Sequence, residues 1–302
     1  MLKLLARVSV LATLALAAAA CNRDSGPDAG GANADPAQTV QQSVELTRKG
    51  DVAGLIEHML PPEEFARVKA EWNEKKDDAE PTAAQRQKFA EMMEKLTSPD
   101  AVDKIYAEIE PDIRQFDSQY QQQIPTIVSM GRSYLRGLVQ QSQDLSAGEK
   151  EQANQVVEAL AQWVEKTRFT DPERVKQALA IISDSARQLN LKTLDEARAL
   201  DFEQSAPKLK IAFNGFKKVL AVFDFSVDEM LDSVKTEVVS RDGDKASVRI
   251  AYTLLGTPME TRSEMVRIDD RWYSKDTIDK LREREAASGA SAPAPAPAAA
   301  GG

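Results

Sequence analysis

Apolar residues in this chain recur with two different periods, and the change comes near residue 226. Upstream they fall three and four apart, the spacing that lines one face of a helix. In "DPAQTVQQSVELTRKGDVAGLIEHMLPPEEFARVKAEW", Asp35 can cap and Pro36 suits a first helical position, while Val40, Val44 and Leu46 or Thr47 supply the apolar face. Gly50-Asp51 closes that helix and opens the next, in which Val52, Leu55, Ile56 and Met59 recur at i, i+3, i+4 and i+7. Pro61-Pro62 interrupts the chain before Phe65, Val68 and Trp72 resume the period, and "NEKKDDAEPTAAQ" reads as a connector. Start signals then repeat at Ser98-Pro99-Asp100, Ser146-Ala147-Gly148-Glu149, Asp171-Pro172-Glu173 and Thr193-Leu194-Asp195-Glu196, the second and fourth being capping boxes. In "IPTIVSMGRSYLRGLVQQ" the small residues Gly131, Ser133 and Gly137 predict close approach of another helix. Residues 82–225 therefore read as five or six packed helices.

Beyond Ser226-Val227-Asp228-Glu229, one more helix start, the period falls to two. Ala246, Val248, Ile250, Tyr252 and Leu254 face one way; Ser247, Arg249, Ala251 and Thr253 face the other. Asp242-Gly243, Gly256-Thr257-Pro258 and Asp269-Asp270 supply three turns. This is a four-stranded antiparallel meander with one wet face, followed by a polar helix from Thr277 to about Glu285. A meander alone is marginal in water, so helices must cover its dry face, and the N-terminal ones are nearest. The expected fold is α+β and mostly α: a helical body over residues 36–225, then the meander with flanking helices over 226–285.

The two ends follow other rules. Residues 1–20 place Lys3 and Arg7 before an apolar run of about 13 residues, short of the roughly 20 that cross hydrocarbon, and end in Ala18-Ala19-Ala20. The chain's one cysteine, Cys21, comes next. This arrangement resembles the bacterial lipoprotein family, in which a small residue precedes an invariant cysteine. The resemblance implies diacylglycerol on the Cys21 thiol, cleavage before it and acylation of the freed amine. Asn22 stands where that family carries aspartate in lipoproteins kept at the inner membrane, which implies the periplasmic face of the outer membrane. Ala18 stands where the family prefers leucine, and Ala18-Ala19-Ala20 also reads as an ordinary cleavage site. Two or three acyl chains would hold the protein stably at a bilayer, whereas one would not. Residues 21–35 are a flexible tether and 286–302, rich in Ala, Pro and Gly, a disordered tail.

Charge and cysteine usage narrow the function. Losing Lys3 and Arg7 with the leader takes the formal charge from −9 to −11, so nucleic acid is not an expected partner. A single cysteine forms no intramolecular disulfide, and the fold must rest on its core. His58 is the one histidine, which leaves no His-based metal cluster and no Cys-His nucleophile; no cofactor or metal is expected. It reads as a boundary histidine. "TRKGDVAGLIEHML" at 47–60, with "DGDKASVRIAY" and "IDDRWYSK" at 242–275, resembles the nuclear transport factor 2-like superfamily, in which a helix, a Gly-Asp break and a second helix cover a curved sheet. The resemblance implies a C-terminal cone and, in the enzymes of that superfamily, an Asp/His dyad within it. Here only His58 with Asp51, Glu57 or Glu264 could fill that part. If the helices stand away from the sheet, Phe213, Phe216, Val219 and Phe223 with Tyr252 and Trp272 would line a binding groove. The expected function is that of a lipid-anchored, non-enzymatic envelope protein of binding or structural type, held to the membrane by its anchor and meeting an envelope protein or the cell wall. The alternative is a small-molecule carrier or enzyme with its cavity in the cone.

Overall fold

Asp35 does cap the first helix: its carboxylate accepts the Ala37 amide at 2.9 Å, with Pro36 at the first helical position. A computed structural model describes residues 35–74, 80–143 and 145–290. The expected leader, Cys21, the tether as far as residue 34 and residues 291–302 of the expected tail lie outside the described residues. Eleven helices and four strands follow in order among the described residues: α1 (Pro36–Lys49), α2 (Val52–Met59), α3 (Pro62–Glu74), α4 (Ala83–Thr97), α5 (Ala101–Gln141), α6 (Ala147–Lys166), α7 (Pro172–Leu189), α8 (Leu194–Ala199), α9 (Phe202–Val222), α10 (Val227–Asp232), β1 (Lys235–Asp242), β2 (Lys245–Leu254), β3 (Thr257–Ile268), β4 (Arg271–Ser274) and α11 (Lys275–Ala290). The strands form one antiparallel sheet in the order β1-β2-β3-β4, so the fold is α+β and mostly α, with a C-terminal meander.

Local signals set most helix ends. Gly50 closes α1 in the left-handed region (φ 69°), and the Asp51 carboxylate accepts the Gly54 amide to open α2. Ser146 with Glu149 and Thr193 with Glu196 form reciprocal capping boxes. Two further boxes, Thr82 with Gln85 and Asp201 with Gln204, start α4 and α9; glutamine serves at the third position as well as glutamate. The first of these begins α4 inside the stretch expected to be a connector. Between residues 83 and 222 there are six helices. At the far end α11 continues to Ala290, past the Glu285 expected as its limit and into the expected tail.

The sheet keeps the expected alternation except at Ser247, which is buried, its hydroxyl donating to Glu264. Ala246, Val248, Ile250, Tyr252 and Leu254 are buried while Arg249 and Thr253 are exposed. Gly243 turns β1 into β2 at φ 55°, and Asp269-Asp270, both left-handed, turn β3 into β4. The middle turn lies at Leu255-Gly256 (φ 51° and 81°). Thr257 and Pro258, expected in the turn, already pair with Leu254 and Thr253. Proline is tolerated there because β4 pairs only with Met265 to Ile268, which leaves the outer side of β3 at Pro258 without a strand neighbour.

The dry face is covered from three parts of the chain. Ala37, Val40 and Val44 of α1, Ala159 of α6, and Met230 and Leu231 of α10 pack with Val248, Ile250, Leu254, Met265 and Trp272 in one apolar cluster. The N-terminal helix takes part as expected, but α6 and α10 contribute equally directly, and the cluster crosses the boundary at residue 226. Elsewhere α9 packs on α7 and on α2, and Gly215 of α9 lies so near Ser185 that a Cβ would meet its Oγ at 2.4 Å. The close helix approach expected at Gly131 and Gly137 is therefore found at Gly215. A Cβ at either of the former meets nothing within 4 Å, because their side of α5 faces outward. Lys217, buried on α9, donates to the Arg48 carbonyl and to Asp228, both at 2.6 Å, which ties α9 to the end of α1 and to α10.

Gly50 carries the turn between the two N-terminal helices, and a Cβ there would also lie 2.6 Å from the Asn214 side chain. Gly50→Ala is expected to lower stability by about 1–2 kcal/mol, the cost of a left-handed non-glycine residue, plus the loss of the Asn214 bond to the Lys49 carbonyl. Urea unfolding of the two chains measures it; an unchanged midpoint would show that the turn relaxes without cost.

Candidate functional site

The helices that cover the sheet do not meet over it. Between α1 and α2 on one side and α6 on the other lies a half-open cleft of about 650 Å³, closed at one end by the start of α11. Its apolar surface comes from Val40, Met59, Val156, Tyr252, Met265 and Trp272. The last is 2% exposed, held by pairing of β4 with β3 and flanked by the guanidinium groups of Arg241 and Arg267 at 5.2 and 6.0 Å from its ring. Tyr252 is buried and hydrogen-bonded to Gln152 of α6; burial pushes its phenol above the usual value.

Charged groups gather at the rim. Lys280 pairs with Asp276 at 2.7 Å and Lys275 with Asp279. Glu149 accepts the Ser146 amide at 2.8 Å, and Glu264 accepts the Ser247 hydroxyl at 2.7 Å. Each of the four acids that line the cleft is thus already bonded. Arg262, exposed on β3, has no ion-pair partner among the described residues. The Thr277 hydroxyl, at the start of α11, is buried without a hydrogen-bond partner among them.

His58 forms part of the α2 wall. Its Nε2–H donates to the Thr39 carbonyl of α1 at 2.8 Å, a bond that fixes the neutral tautomer because a carbonyl can only accept. Burial lowers its pKa from the ordinary 6.5; the Thr39 bond opposes this in part, and Arg271 nearby adds to it. Of the acids considered beside it, Asp51 caps α2 and Glu264 serves Ser247. Among the described residues the hydrogen bond of His58 goes to the backbone, so the arrangement is a helix-to-helix tie at the edge of the cleft.

Of the six residues expected to line a groove, Tyr252 and Trp272 line this cleft, while Phe213, Phe216, Val219 and Phe223 are not among its lining residues. The reason is the course of α9, which runs against α7 and α2 and away from the sheet. Phe223 instead stacks on Phe169 with centroids 5.2 Å apart, and its carbonyl accepts the Trp163 indole N–H at 2.6 Å. Phe216 is 58% exposed. The α6 wall was the part that sequence reasoning missed, and the buried period of that helix was the only signal for it. No cluster of three or more His, Cys, Asp or Glu suited to a metal occurs among the described residues, and no described helix is long and apolar enough to cross a membrane.

Comparison with family models, with curated proteins and with solved structures gave no match. The geometry of the cleft therefore carries the functional reading by itself.

Because the fold holds His58 neutral, protonation favours the unfolded chain. The contribution of His58 is fully present above about pH 6.5 and is lost as the pH falls below that value toward the lower pKa of the folded state. His58→Gln, which retains an N–H for Thr39, is expected to lose less stability than the parent between about pH 7.5 and pH 5.5. Denaturation midpoints of both chains at the two pH values decide it, and parallel losses would mean that the fold does not exclude the imidazolium.

Proposed function

We propose that the protein is a lipid-anchored, non-enzymatic binding protein at the periplasmic face of the outer membrane, and that the cleft between its helices and sheet takes a small, largely apolar molecule. One observation carries this reading: about 650 Å³ of largely apolar space between α1, α2 and α6 and the dry face of the sheet. Apolar lining with a few convergent polar groups is the usual makeup of small-molecule sites. The anchoring half rests on Lys3, Arg7, the small residues 18–20 and Cys21, which together resemble a lipoprotein leader.

An enzyme in a nuclear transport factor 2-like cone is the second reading, favoured by the placing of α1, the Gly50-Asp51 break and α2 beside the meander. Acid-base chemistry there would need a carboxylate against the histidine. The hydrogen bond of His58 to Thr39 and the engagement of Glu149, Glu264, Asp276 and Asp279 support the binding reading instead.

The cleft is tested with anilinonaphthalene sulfonate, an apolar ring system with one sulfonate, titrated onto the Cys21→Ser chain. Saturable binding is expected, weakened by Met59→Trp and abolished by Ala153→Phe, both of which fill the cleft. Binding that does not saturate, or that ignores both substitutions, removes the site. The anchor is tested separately: in fractionated cells the parent should sediment with outer membrane and Cys21→Ser should move to the soluble periplasm. Retention of the variant in the membrane would refute the lipid anchor and leave the cleft untouched.

A further inference from the structure

The helix α5 is 41 residues long, and its second half is used on one side only. Ile124 and Val128 are buried against Ala161, Val164 and Phe169, and Arg132 and Arg136 turn onto Glu158 and Glu165 of α6. On the neighbouring face Ile127, Met130, Tyr134 and Leu138 follow at spacings of three, four and four, with Phe116 three turns earlier. Met130 and Tyr134 are each 68% exposed, and the other three close to half. Phe116 to Leu138 spans about 33 Å at 1.5 Å per residue. Nothing in the described fold covers its stretch from Ile127 to Leu138.

We infer that this face of α5 is where a second copy of the same chain docks, helix against helix. Charge supports a copy over an unrelated partner. Each chain carries a net charge of −9, and copies repel wherever acids face each other. Yet residues 118–131 hold no charged side chain, in a protein with 29% Asp, Glu, Lys and Arg. Charge depletion around Ile127 and Met130, with Tyr134 one turn further on, fits the composition of a buried interface.

The glycines point the same way. Gly131 and Gly137 lie beside the stripe, and a Cβ on either would meet nothing. Each costs the helix about 1 kcal/mol relative to alanine without serving any contact within the chain. They do serve a twofold pair, in which large residues of one copy can enter the gaps of the other and the same patch is used twice. Ile127, Met130, Tyr134 and Leu138, exposed by about half or more, offer roughly 450 Å² per copy, so a pair would bury about 900 Å², the size of a weak, reversible association. A membrane surface is the rival occupant, but interfacial helices flank their apolar stripe with free Lys and Arg. The arginines here, Arg132 and Arg136, are paired with glutamates on α6.

Sedimentation velocity of the full-length Cys21→Ser chain over a dilution series tests the proposal, independently of the cleft. A reversible dimer is expected. Met130→Glu with Tyr134→Glu places new acids face to face and should weaken it at least about a hundredfold. Gly131→Ala should raise the melting temperature of the single chain while weakening the dimer, a combination that misfolding cannot produce. A parent that stays monomeric at every concentration overturns the proposal, as does a dimer indifferent to both changes. Flotation of the parent with phosphatidylethanolamine–phosphatidylglycerol vesicles, abolished by the double substitution, would assign the stripe to the membrane instead.

Discussion

A four-stranded meander with one apolar face cannot remain in water uncovered, and the rest of this structure answers that constraint. Three hydrogen-bonded ladders and a row such as Val248, Ile250 and Leu254 bury too little area unless helices lie across them. With a single cysteine in 302 residues no disulfide can substitute. The cover comes from α1 at the beginning of the chain, α6 in the middle and α10 immediately before the sheet. Closing the core therefore requires contacts across nearly the whole sequence, as the bond from Gln41 of α1 to Thr236 of β1 illustrates at a separation of 195 residues.

The cleft follows from the same geometry. Helices are about 10 Å across, and α1 packs on β1, β2 and β4 while α6 packs on β3, so the strip between them is left open as the cleft. Tyr252 and Trp272 serve both purposes there: they fill the core below and form the cleft wall above. A ligand bound in that strip would complete the cover that the helices leave unfinished.

What could be read in the sequence was what four or five neighbouring residues decide. Asp35-Pro36, Gly50-Asp51, Ser146 with Glu149 and Asp269-Asp270 act through their own backbone, and each appears where its chemistry requires. The meander was legible because a period of two sorts side chains whatever lies beyond the sheet. The groove was not, since nothing in "KLKIAFNGFKKVLAVFDF" states which neighbour its phenylalanines meet; α9 turned them toward α7 and Phe169. Small residues misled in the same way. Gly131, Gly137 and Gly215 look alike in sequence, and only the third has a helix against it.

The helix α5 shows most clearly how packing overrides local preference. Pro111 and Pro125 both lie inside it, and each removes an amide from the ladder at a cost of about 3 kcal/mol in an isolated helix. The helix nevertheless continues because its two halves are held from different sides. Ala101, Ile105 and Tyr106 are buried near its start, and Ile124 and Val128, on either side of the second proline, lie against α6. A helix secured by such long-range contacts tolerates poor local sequence, and the same argument applies to its exposed glycines. Where no contact within the chain accounts for a residue that weakens the helix, the compensating contact is to be sought outside the chain.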